Sequence, residues 1–343
     1  MHERALRKVL LIQSIEETDR TGAALPLAER AEATRAVLGK SPPSPETQPE
    51  APLSTATEWF LIRRADILLA SLRSRSPGVD RVLKLAGGAT PLERPVLFGA
   101  FVLGGLCSFL DRYRGIDIFA LPLVALIFWN VLIYAMSWRR GPPRQTAFAK
   151  VYARSVRRHL EDVSTHSSHF NAPLGPGLSR FAGDWCNIAP PLFAVRARRL
   201  LHLAVVLVAV GFIAGDYVRA GILRADAGWY ANTFLGPQMA HALLSVLYWP
   251  ALLITGIDTP STEVIRQLCW TSPQTGGGEA TFWIHLMAWT AGVYIVIPRL
   301  LAVLGSTFTL WRLSRQFVPP PGLTSYVRNV IALERYQETG SGE

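Results

Sequence analysis

Three histidines and two carboxylates lie close together in the stretch HLEDVSTHSSH, residues 159–169. Imidazole and carboxylate side chains are ligands for zinc and iron, so metal chemistry is the first function to consider here. His166 and His169 are, however, separated by two serines in a serine-rich stretch, and no second cluster of ligands accompanies them. We therefore expect a solvated histidine cluster, with no metal site and no cofactor.

Other ionisable residues lie in or beside apolar segments. Asp216 and His285 fall at the predicted outer ends of two such segments and could form a polar pair at one depth. A polar residue within a membrane bundle usually faces another helix or water, because its exposure to lipid is unfavourable. A proton or ion pathway would need more, since the apolar segments hold almost no acid or base at mid-depth. Transport or conduction stays open as an alternative.

The chain carries no motif of a known catalytic class. It has no P-loop, no GxSxG or HExxH sequence, no kinase signature and no dinucleotide-binding fingerprint. Its three cysteines follow no metal or disulfide spacing. The net charge of +10 could indicate nucleic-acid binding, but membrane topology accounts for the same charge. We predict a protein that is not an enzyme and does not bind nucleic acid.

The elements that position these residues are predicted to be membrane helices. Half of the 343 residues are hydrophobic, and the excess over soluble proteins falls in a few blocks. A transmembrane helix needs roughly 20 apolar residues to cross about 30 Å of hydrocarbon. Four segments are predicted to span: 95–110, 116–138, 200–218 and 281–305. The expected fold is all-α, a polytopic membrane protein with cytoplasmic helical segments.

The distribution of Lys and Arg predicts the orientation. Residues 1–94 hold 14 of them, 138–199 hold 11 and 299–343 hold 5, which is 30 of the 35 in the chain. With four spans these three regions share one side, and cytoplasmic loops are the ones enriched in basic residues. We therefore expect a multi-pass protein of the bacterial inner (plasma) membrane, with both termini in the cytoplasm.

The segment 239–257 leaves two interpretations open. It is apolar enough to enter a membrane, but a fifth crossing would move the basic C-terminal region to the outer side. We expect an interfacial or re-entrant helix on the outer face, with four aromatic residues at headgroup depth: Trp229, Tyr230, Tyr248 and Trp249. The alternative is an ordinary span kinked at Pro250, which packed membrane helices tolerate.

These assignments divide the chain into five regions. They are a cytoplasmic N-terminal helical region (1–94) with a Pro-rich linker (40–52), a transmembrane hairpin (95–138), a basic cytoplasmic loop (139–199), a membrane region (200–305) with an outer segment (217–280), and a cytoplasmic tail (306–343). Within the first region, 54–75 is predicted to be an amphipathic helix capped by Ser54 or Thr55. Its apolar stripe is Phe60, Ile67, Leu68 and Leu72.

The basic loop contains a predicted amphipathic helix at 144–163. Its apolar stripe is Phe148, Tyr152, Val156, Leu160 and Val163. Its cations lie mainly off that stripe and are Lys150, Arg154, Arg157 and Arg158. Such a face suits anionic lipids of the phospholipid bilayer or an acidic protein partner. Topology-setting charge on a solvated helix is the alternative.

Two stretches resemble a family of bacterial inner-membrane proteins known as domain of unknown function 2868. The likeness covers roughly 90–315, and its most specific parts are an Ala-Gly-Trp…Thr-Phe-Leu run and Pro298 to Leu301. In this chain the run includes Gly228, Trp229, Thr233 and Phe234, an outer-face motif. Tyr230-Ala231-Asn232 replaces the Glu-Ser that usually follows the Gly-Trp pair in the family. A role that needs a carboxylate there is therefore not expected in this chain.

The resemblance implies no catalytic residues. It implies a genomic context in which such proteins accompany a predicted cytosolic GTPase. Together with the basic, helical cytoplasmic regions, this favours an inner-membrane anchor or scaffold that recruits or regulates a cytosolic partner, with a GTPase as the implied class. The alternative is a small channel or transporter subunit, in which Trp229, Asp216 and His285 would lie near an outer vestibule.

Overall fold

The computed structural model describes residues 1–39, 54–88, 91–109, 115–138, 146–166, 174–231, 235–270, 277–315, 317, 319–320 and 322–340. The described chain is almost entirely helical, which confirms the all-α prediction. The elements are α1 (Glu3–Thr18), α2 (Leu27–Leu38), α3 (Thr55–Arg75), α4 (Val79–Ala86), α5 (Glu93–Ser108), β1 (Ile116–Asp117), α6 (Leu121–Trp138), α7 (Ala147–His166), α8 (Gly175–Ile188), α9 (Pro190–Leu223), β2 (Ala227–Gly228), α10 (Pro237–Thr255), α11 (Thr262–Gln267), α12 (Ala280–Ala291), a π-helical turn (Gly292–Val296), α13 (Ile297–Arg315) and α14 (Gly322–Gly340).

The chain forms two compact units. The first, called unit 1 here, consists of Met1–Thr90, Gln145–Ala197 and Thr307–Glu343. The second, unit 2, consists of Pro91–Arg144 and Arg198–Ser306. Three regions that the sequence separates, the N-terminal region, the basic loop and the tail, therefore fold into one unit.

Unit 1 is built around α1, which packs against α3 and α8. The buried face of α1 carries Leu6, Leu11, Ile12 and Ile15. Helix α7 packs on α4 and α8, and α14 packs on α2. Burying these aliphatic faces away from water supplies the main driving force for the association of the helices.

Helix α3 begins where the sequence predicts. Ser54 caps it, and its hydroxyl accepts a hydrogen bond from the Thr57 backbone N–H at 3.2 Å. Phe60, Leu68 and Leu72 of the predicted stripe are buried, but Ile67 is 44% exposed, so its assignment to the stripe is wrong. The buried face of α3 also includes Leu61 and Leu69, so it is centred near Leu68, and Ile67 falls just beyond the edge that Phe60 marks.

Three helices are long and apolar enough to cross a membrane: α9, α10 and the continuous helix Ala280–Arg315. Two of the four predicted spans, 200–218 and 281–305, lie within them. Within the described residues these three are fewer than the four spans predicted. The segment 95–110 forms a helix of only 16 residues, and 116–138 loses its first residues to a strand before α6 begins at Leu121. Helix α10, expected on the outer face, meets the length and composition criterion instead.

The helices of unit 2 present large apolar side chains outward. Phe98 is 71% exposed, Leu121 76%, Ile222 74% and Val246 74%. Contiguous exposed apolar surface of this kind is unusual for a protein surrounded by water, and it suits contact with lipid. The exposure supports the assignment of these helices to a membrane.

Candidate functional site

The basic face of α7 is exposed, as the sequence predicts. Lys150, Arg154, Arg157 and Arg158 are all exposed, whereas Tyr152, Val156 and Leu160 on the opposite face are buried. Phe148 and Val163 are half-buried at the edges of the stripe. The periodicity of 3.6 residues separates the two faces, so burying the apolar face leaves the cations in solvent.

Two of the four cations of α7 make hydrogen bonds within the same helix. Arg157 Nε donates to Glu161 Oε1 at 2.7 Å, and this carboxylate together with its hydrogen bond raises the pKa of the guanidinium. Arg154 Nε donates to the Lys150 backbone carbonyl at 3.4 Å within the same helix. These contacts are all local to α7, so the face as a whole is directed away from the core of unit 1.

The histidine stretch does not assemble a metal site in the described part of the chain. His159 Nδ1 lies 2.8 Å from the Ser155 backbone carbonyl, which engages that ring nitrogen. The described residues contain no group of three or more His, Cys, Asp or Glu that could hold a metal ion. His169 lies outside the described residues. Burial raises the pKa of the nearby Cys186 thiol to about 11, so it stays protonated at neutral pH.

Gly228 and Trp229 form the centre of a small buried assembly. Strand β2 pairs in parallel with β1, and the Ile118 N–H donates to the Gly228 carbonyl at 2.9 Å. A Cβ on residue 228 would lie 2.6 Å from the Leu268 carbonyl oxygen, so only glycine fits there. Trp229 is fully buried, and its indole N–H donates to the Ile265 carbonyl at 2.8 Å.

This assembly, called the cap here (residues 116–118, 226–229, 265–270 and 277–278), joins four chain segments. The Ala227 N–H donates to the Gly278 carbonyl, and the Gly278 N–H returns a bond to Ala227. The Trp229 N–H donates to Leu268, and the Trp270 N–H donates to Trp229. The flanks on either side of α10 and α11 are therefore hydrogen-bonded to each other.

Two of the four aromatic residues expected at headgroup depth are buried in unit 2. Trp229 packs edge-on against Phe119, with ring centroids 6.2 Å apart. Tyr248 is 1% exposed, and its hydroxyl donates to the Ile118 carbonyl at 2.6 Å. That expectation is corrected for both, because each polar tip is used inside the fold. Trp249 is 61% exposed and fits it, and Tyr230 packs on Trp270. Thr233 and Phe234 lie outside the described residues.

The predicted pair Asp216 and His285 has separate partners. Asp216 is 1% exposed and accepts from Ser108 Oγ at 2.6 Å, and its carboxylate lies 3.8 Å from Arg219. Arg219 also donates to the Ser108 and Gly115 carbonyls, both at 2.5 Å. His285 is exposed, with its ring edge-on to Tyr217 at 5.6 Å. Asp216 therefore belongs to a buried network, and His285 to the surface of unit 2.

A polar cluster around Arg299 was missed by the sequence reasoning. Arg299 is 2% exposed, and its Nε donates to Asn130 Oδ1 at 2.7 Å. Its Nη1 lies 2.9 Å from His202 Nδ1, and its guanidinium lies over the Tyr134 ring at 5.6 Å from the centroid. The signal was present, because an arginine inside a long apolar helix marks a functional candidate by itself. From the sequence, Arg299 was counted with the basic C-terminal region, whereas the structure buries it inside unit 2.

A glycine-lined helix crossing was also missed. A Cβ on Gly104 would lie 2.1 Å from the Val208 carbonyl oxygen, and one on Gly211 would lie 2.1 Å from the Phe101 carbonyl oxygen. Helices α5 and α9 therefore approach backbone to backbone. The sequence signal is the GxxxG pattern of Gly211 and Gly215, which permits close packing of membrane helices.

Unit 1 contains a cavity of about 370 Å³ between α1, α2, α3 and α14. At its wall Arg64 makes a two-pronged pair with Glu16, at 3.0 and 2.7 Å, and donates to the Tyr326 hydroxyl at 2.8 Å. Tyr326 in turn donates to Glu16. Burial opposes the charge on Arg64, but Tyr326 and Glu16 together raise its pKa. The charges in this wall are compensated within the protein.

Comparison of the chain with protein-family models, with curated proteins and with solved structures gives no match.

Proposed function

We propose that this protein is an inner-membrane anchor whose cytoplasmic unit 1 docks an acidic soluble partner on the basic face of α7. The proposal rests on which segments of the chain form unit 1. Three segments separated by apolar helices fold into it, and together with its exposed cations they offer a rigid, charged platform at the membrane. The resemblance to domain of unknown function 2868 adds a GTPase as the partner class.

Unit 1 is formed by three segments of the chain. This supports an even number of membrane crossings in each stretch of chain that connects one of these segments to the next. A single packed core cannot have its parts on opposite sides of a bilayer. Gln145–Ala197 and Thr307–Glu343 both belong to unit 1, so the chain between them must return to the side that it left. Helices α9 and 280–315 provide one crossing each, and α10 is then not a third crossing.

The cap supports the same path for α10. Trp229, which precedes α10, and Ile265, which lies in α11, are joined by the indole hydrogen bond of 2.8 Å. Between α10 and α11 the chain has only residues 256–261, which form no helix or strand. Irregular backbone does not cross a bilayer exposed to lipid, so α10 enters and returns on one side. We therefore propose a re-entrant or interfacial α10.

The cytoplasmic placement of unit 1 rests on charge. Thirty of the 35 Lys and Arg residues lie in 1–94, 138–199 and 299–343, and 23 of them belong to unit 1 itself. Cytoplasmic loops carry such an excess. This orientation places the basic face of α7 where cytosolic proteins reach it. An acidic partner would pair with it, and each exposed pair would add affinity and a faster, salt-dependent association.

The docking proposal is tested by co-purification. The tagged protein would be extracted from its native membrane in mild detergent, and the proteins bound to it identified and quantified by mass spectrometry. The variant replaces Lys150, Arg154, Arg157 and Arg158 by Gln. The matched control replaces four other exposed cations of unit 1 by Gln: Arg20, Arg81, Lys84 and Arg328.

We expect a stoichiometric acidic cytosolic protein with the parent chain and the control, and its loss with the α7 variant. A nucleotide-hydrolysing partner would support the GTPase class. Equal capture by all three chains would contradict docking on α7. Capture of anionic lipid alone, lost with the α7 variant, would assign this face to the membrane surface instead.

A channel or transporter subunit is the second candidate, and the buried cluster around Arg299 favours it. Ionisable groups inside a membrane unit often line substrate or ion routes. Liposomes that contain this protein alone would show flux of a small anion if it forms a route. A tight bilayer, together with a co-purified partner, would leave the anchor as the function.

A further inference from the structure

We propose that Arg299 is an oxyanion-binding site, which takes a phosphate group on the free edge of its guanidinium. This site is separate from α7 and does not depend on the docking of a partner. The proposal rests on three features of the described residues: the partners of Arg299 are neutral, one of its nitrogens is left without a bond, and the helix that carries it is irregular beside it.

The partners of Arg299 supply hydrogen bonds and a ring face but no negative charge. Asn130 contributes an amide oxygen, and its own amide group donates to the Leu126 carbonyl at 2.7 Å, which fixes the orientation of the side chain. Because guanidinium nitrogens only donate, His202 Nδ1 must accept at 2.9 Å and is therefore unprotonated. Tyr134 contributes its ring, whose centroid lies 5.6 Å from the guanidinium, and a side-chain hydrogen-bonding interaction with it. These three residues fix the orientation of the guanidinium, but none of them neutralises its charge.

One guanidinium nitrogen has no partner. Arg299 Nη2 is buried and makes no hydrogen bond in the described part of the chain. No carboxylate is recorded as a partner of Arg299 among the described residues. Three carboxylates of unit 2 have other partners: Asp216 binds Ser108, Asp117 accepts from the Phe119 N–H, and Glu263 pairs with Arg266. A buried charge without a counter-ion is strongly unfavourable, so an anion from outside the described residues would stabilise the site.

The geometry of the unbonded edge of the Arg299 guanidinium indicates which ligand it would bind. A guanidinium presents its N–H groups as a planar fork that matches the oxygens of phosphate or carboxylate. Arg299 lies in the half of the 280–315 helix that leads to the basic residues Arg312 and Arg315. In the proposed topology this is the cytoplasmic half. A phosphate group reaches it there either as the phosphodiester of an anionic lipid or as a free anion from the cytosol.

The helix that carries Arg299 is irregular just before this residue, where it would have to open to admit an anion. The π-helical turn Gly292–Val296 and Pro298 precede Arg299 directly. Such turns and prolines weaken the regular hydrogen-bond ladder and occur frequently at functional sites. The Thr290 hydroxyl, two residues before the π-helical turn, is also buried without a hydrogen-bond partner among the described residues. The polar atoms left unsatisfied thus flank the irregular segment.

The test measures anion-dependent stability of the full chain in nanodiscs. One set of nanodiscs contains only zwitterionic phosphatidylcholine, and the other adds phosphatidylglycerol. Melting temperatures are recorded in each, with and without inorganic phosphate, and native mass spectrometry counts the retained lipids. The variant is Arg299→Gln. The matched control is Arg312→Gln, which removes an exposed cation from the same helix.

We expect anion to raise the melting temperature of the parent chain and of the Arg312→Gln control, but not of Arg299→Gln. A rise with phosphatidylglycerol alone identifies a lipid phosphodiester as the ligand, and a rise with inorganic phosphate identifies a soluble oxyanion. An equal rise in Arg299→Gln, or none in the parent chain, would overturn the proposal.

If Arg299→Gln does not fold, a second variant still tests the proposal. Arg299→Lys keeps the charge but loses the planar fork, and we expect it to bind the anion roughly tenfold more weakly, a loss of about 1.4 kcal/mol. If neither variant is recovered, the parent chain decides the matter. Retention of one phosphate-bearing ligand per chain in native mass spectrometry supports the site, and its absence rejects it.

Discussion

Arg64 in unit 1 and Arg299 in unit 2 are equally buried, at 3% and 2% exposure, but their surroundings differ. Arg64 meets the carboxylate of Glu16, the Tyr326 hydroxyl and, at 2.9 Å, the Thr34 hydroxyl. Arg299 meets only neutral groups. Arg64 is neutralised by a carboxylate of unit 1, whereas Arg299 has no recorded carboxylate partner among the described residues, and this contrast underlies the proposed oxyanion site.

The two units also pack their helices differently. Unit 1 fills its core with large side chains such as Trp185, whose indole donates to the Ala86 carbonyl at 2.9 Å. Unit 2 brings α5 and α9 together through Gly104 and Gly211. In water the burial of large apolar groups is favourable by itself, but lipid offers no such gain, so close contact between backbones takes its place.

The largest expected effect is at Arg64. Replacing it by Gln leaves the Glu16 carboxylate buried without its cation, which should lower the free energy of unfolding of unit 1 by about 3–5 kcal/mol. The control Arg73→Gln removes an ion pair with Asp80 in which both side chains are more than 40% exposed, and it should change stability by about 0–1 kcal/mol. Chemical denaturation of the detergent-purified protein measures both. Equal effects would show that the Arg64 network does not stabilise unit 1.

Asp19 gives a second effect with a pH dependence. Burial would raise its pKa, but backbone N–H donors from Leu25, Ala24 and Ala23 and the Arg30 cation together hold that pKa below its ordinary value. Asp19→Asn should lower the free energy of unfolding by about 1.5–3 kcal/mol at pH 7, because hydrogen bonds to a charged group are lost.

The sign of the pH dependence follows from that lowered pKa. The stabilisation by Asp19 is present above the pKa of the unfolded chain, about 3.9, and is lost as the pH falls through the lower pKa of the folded state. The gap between parent and Asp19→Asn should therefore be constant near neutral pH and narrow below about pH 4. Denaturation at several pH values measures the gap, and a gap that widens on acidification would contradict the assignment.

The glycine crossing gives the third effect. Gly104→Ala places a Cβ 2.1 Å from the Val208 carbonyl oxygen, so the helices must separate, and we expect a destabilisation of about 1–3 kcal/mol. Gly99→Ala in the same helix adds a Cβ with nothing within 4 Å. That control should be neutral or slightly stabilising, since Ala is the better helix former. Thermal unfolding in detergent compares them, and matching melting temperatures would mean that α5 and α9 do not pack closely.

The smallest expected effect is the stability change from the basic face. Replacing Lys150, Arg154, Arg157 and Arg158 by Gln should leave the melting temperature of the purified protein nearly unchanged, because all four are exposed. Circular dichroism during heating checks this. A large drop would mean that the cations support unit 1 itself, and a loss of partner binding by this variant could not then be read as a lost interface.

Features that depend on local sequence patterns could be predicted, whereas features that depend on packing between distant segments could not. The amphipathic periodicity of α7 and the Ser54 cap of α3 are local patterns, and they predicted the exposed cations and the start of the helix. The assembly of unit 1 from three distant segments, and the meeting of Glu16 with Tyr326, depend on packing that no local pattern records. The predicted span 116–138 began too early, because Ile116 and Asp117 pair with β2 and α6 begins only at Leu121.

The Gly-Trp motif shows a different limit. Its residue types indicated importance, and an aromatic residue beside a membrane segment suggested headgroup contact. The structure places Trp229 inside the cap, where its role is to hold the flanks of α10 together. The interaction partner at Ile265 is 36 residues away, and such pairing cannot be read from composition or spacing.

The topology is tested most directly by labelling single cysteines from each side of the membrane. In a chain with its three native cysteines replaced, single cysteines would be introduced at the exposed positions Arg20, Arg154, Arg328 and Glu263. A membrane-impermeant maleimide would then be applied to right-side-out and to inverted vesicles. We predict labelling at 20, 154 and 328 only in inverted vesicles, and at 263 only in right-side-out vesicles. Labelling of position 328 from the side opposite to positions 20 and 154 would make α10 a third crossing and contradict the assembly of unit 1 on one side of the membrane.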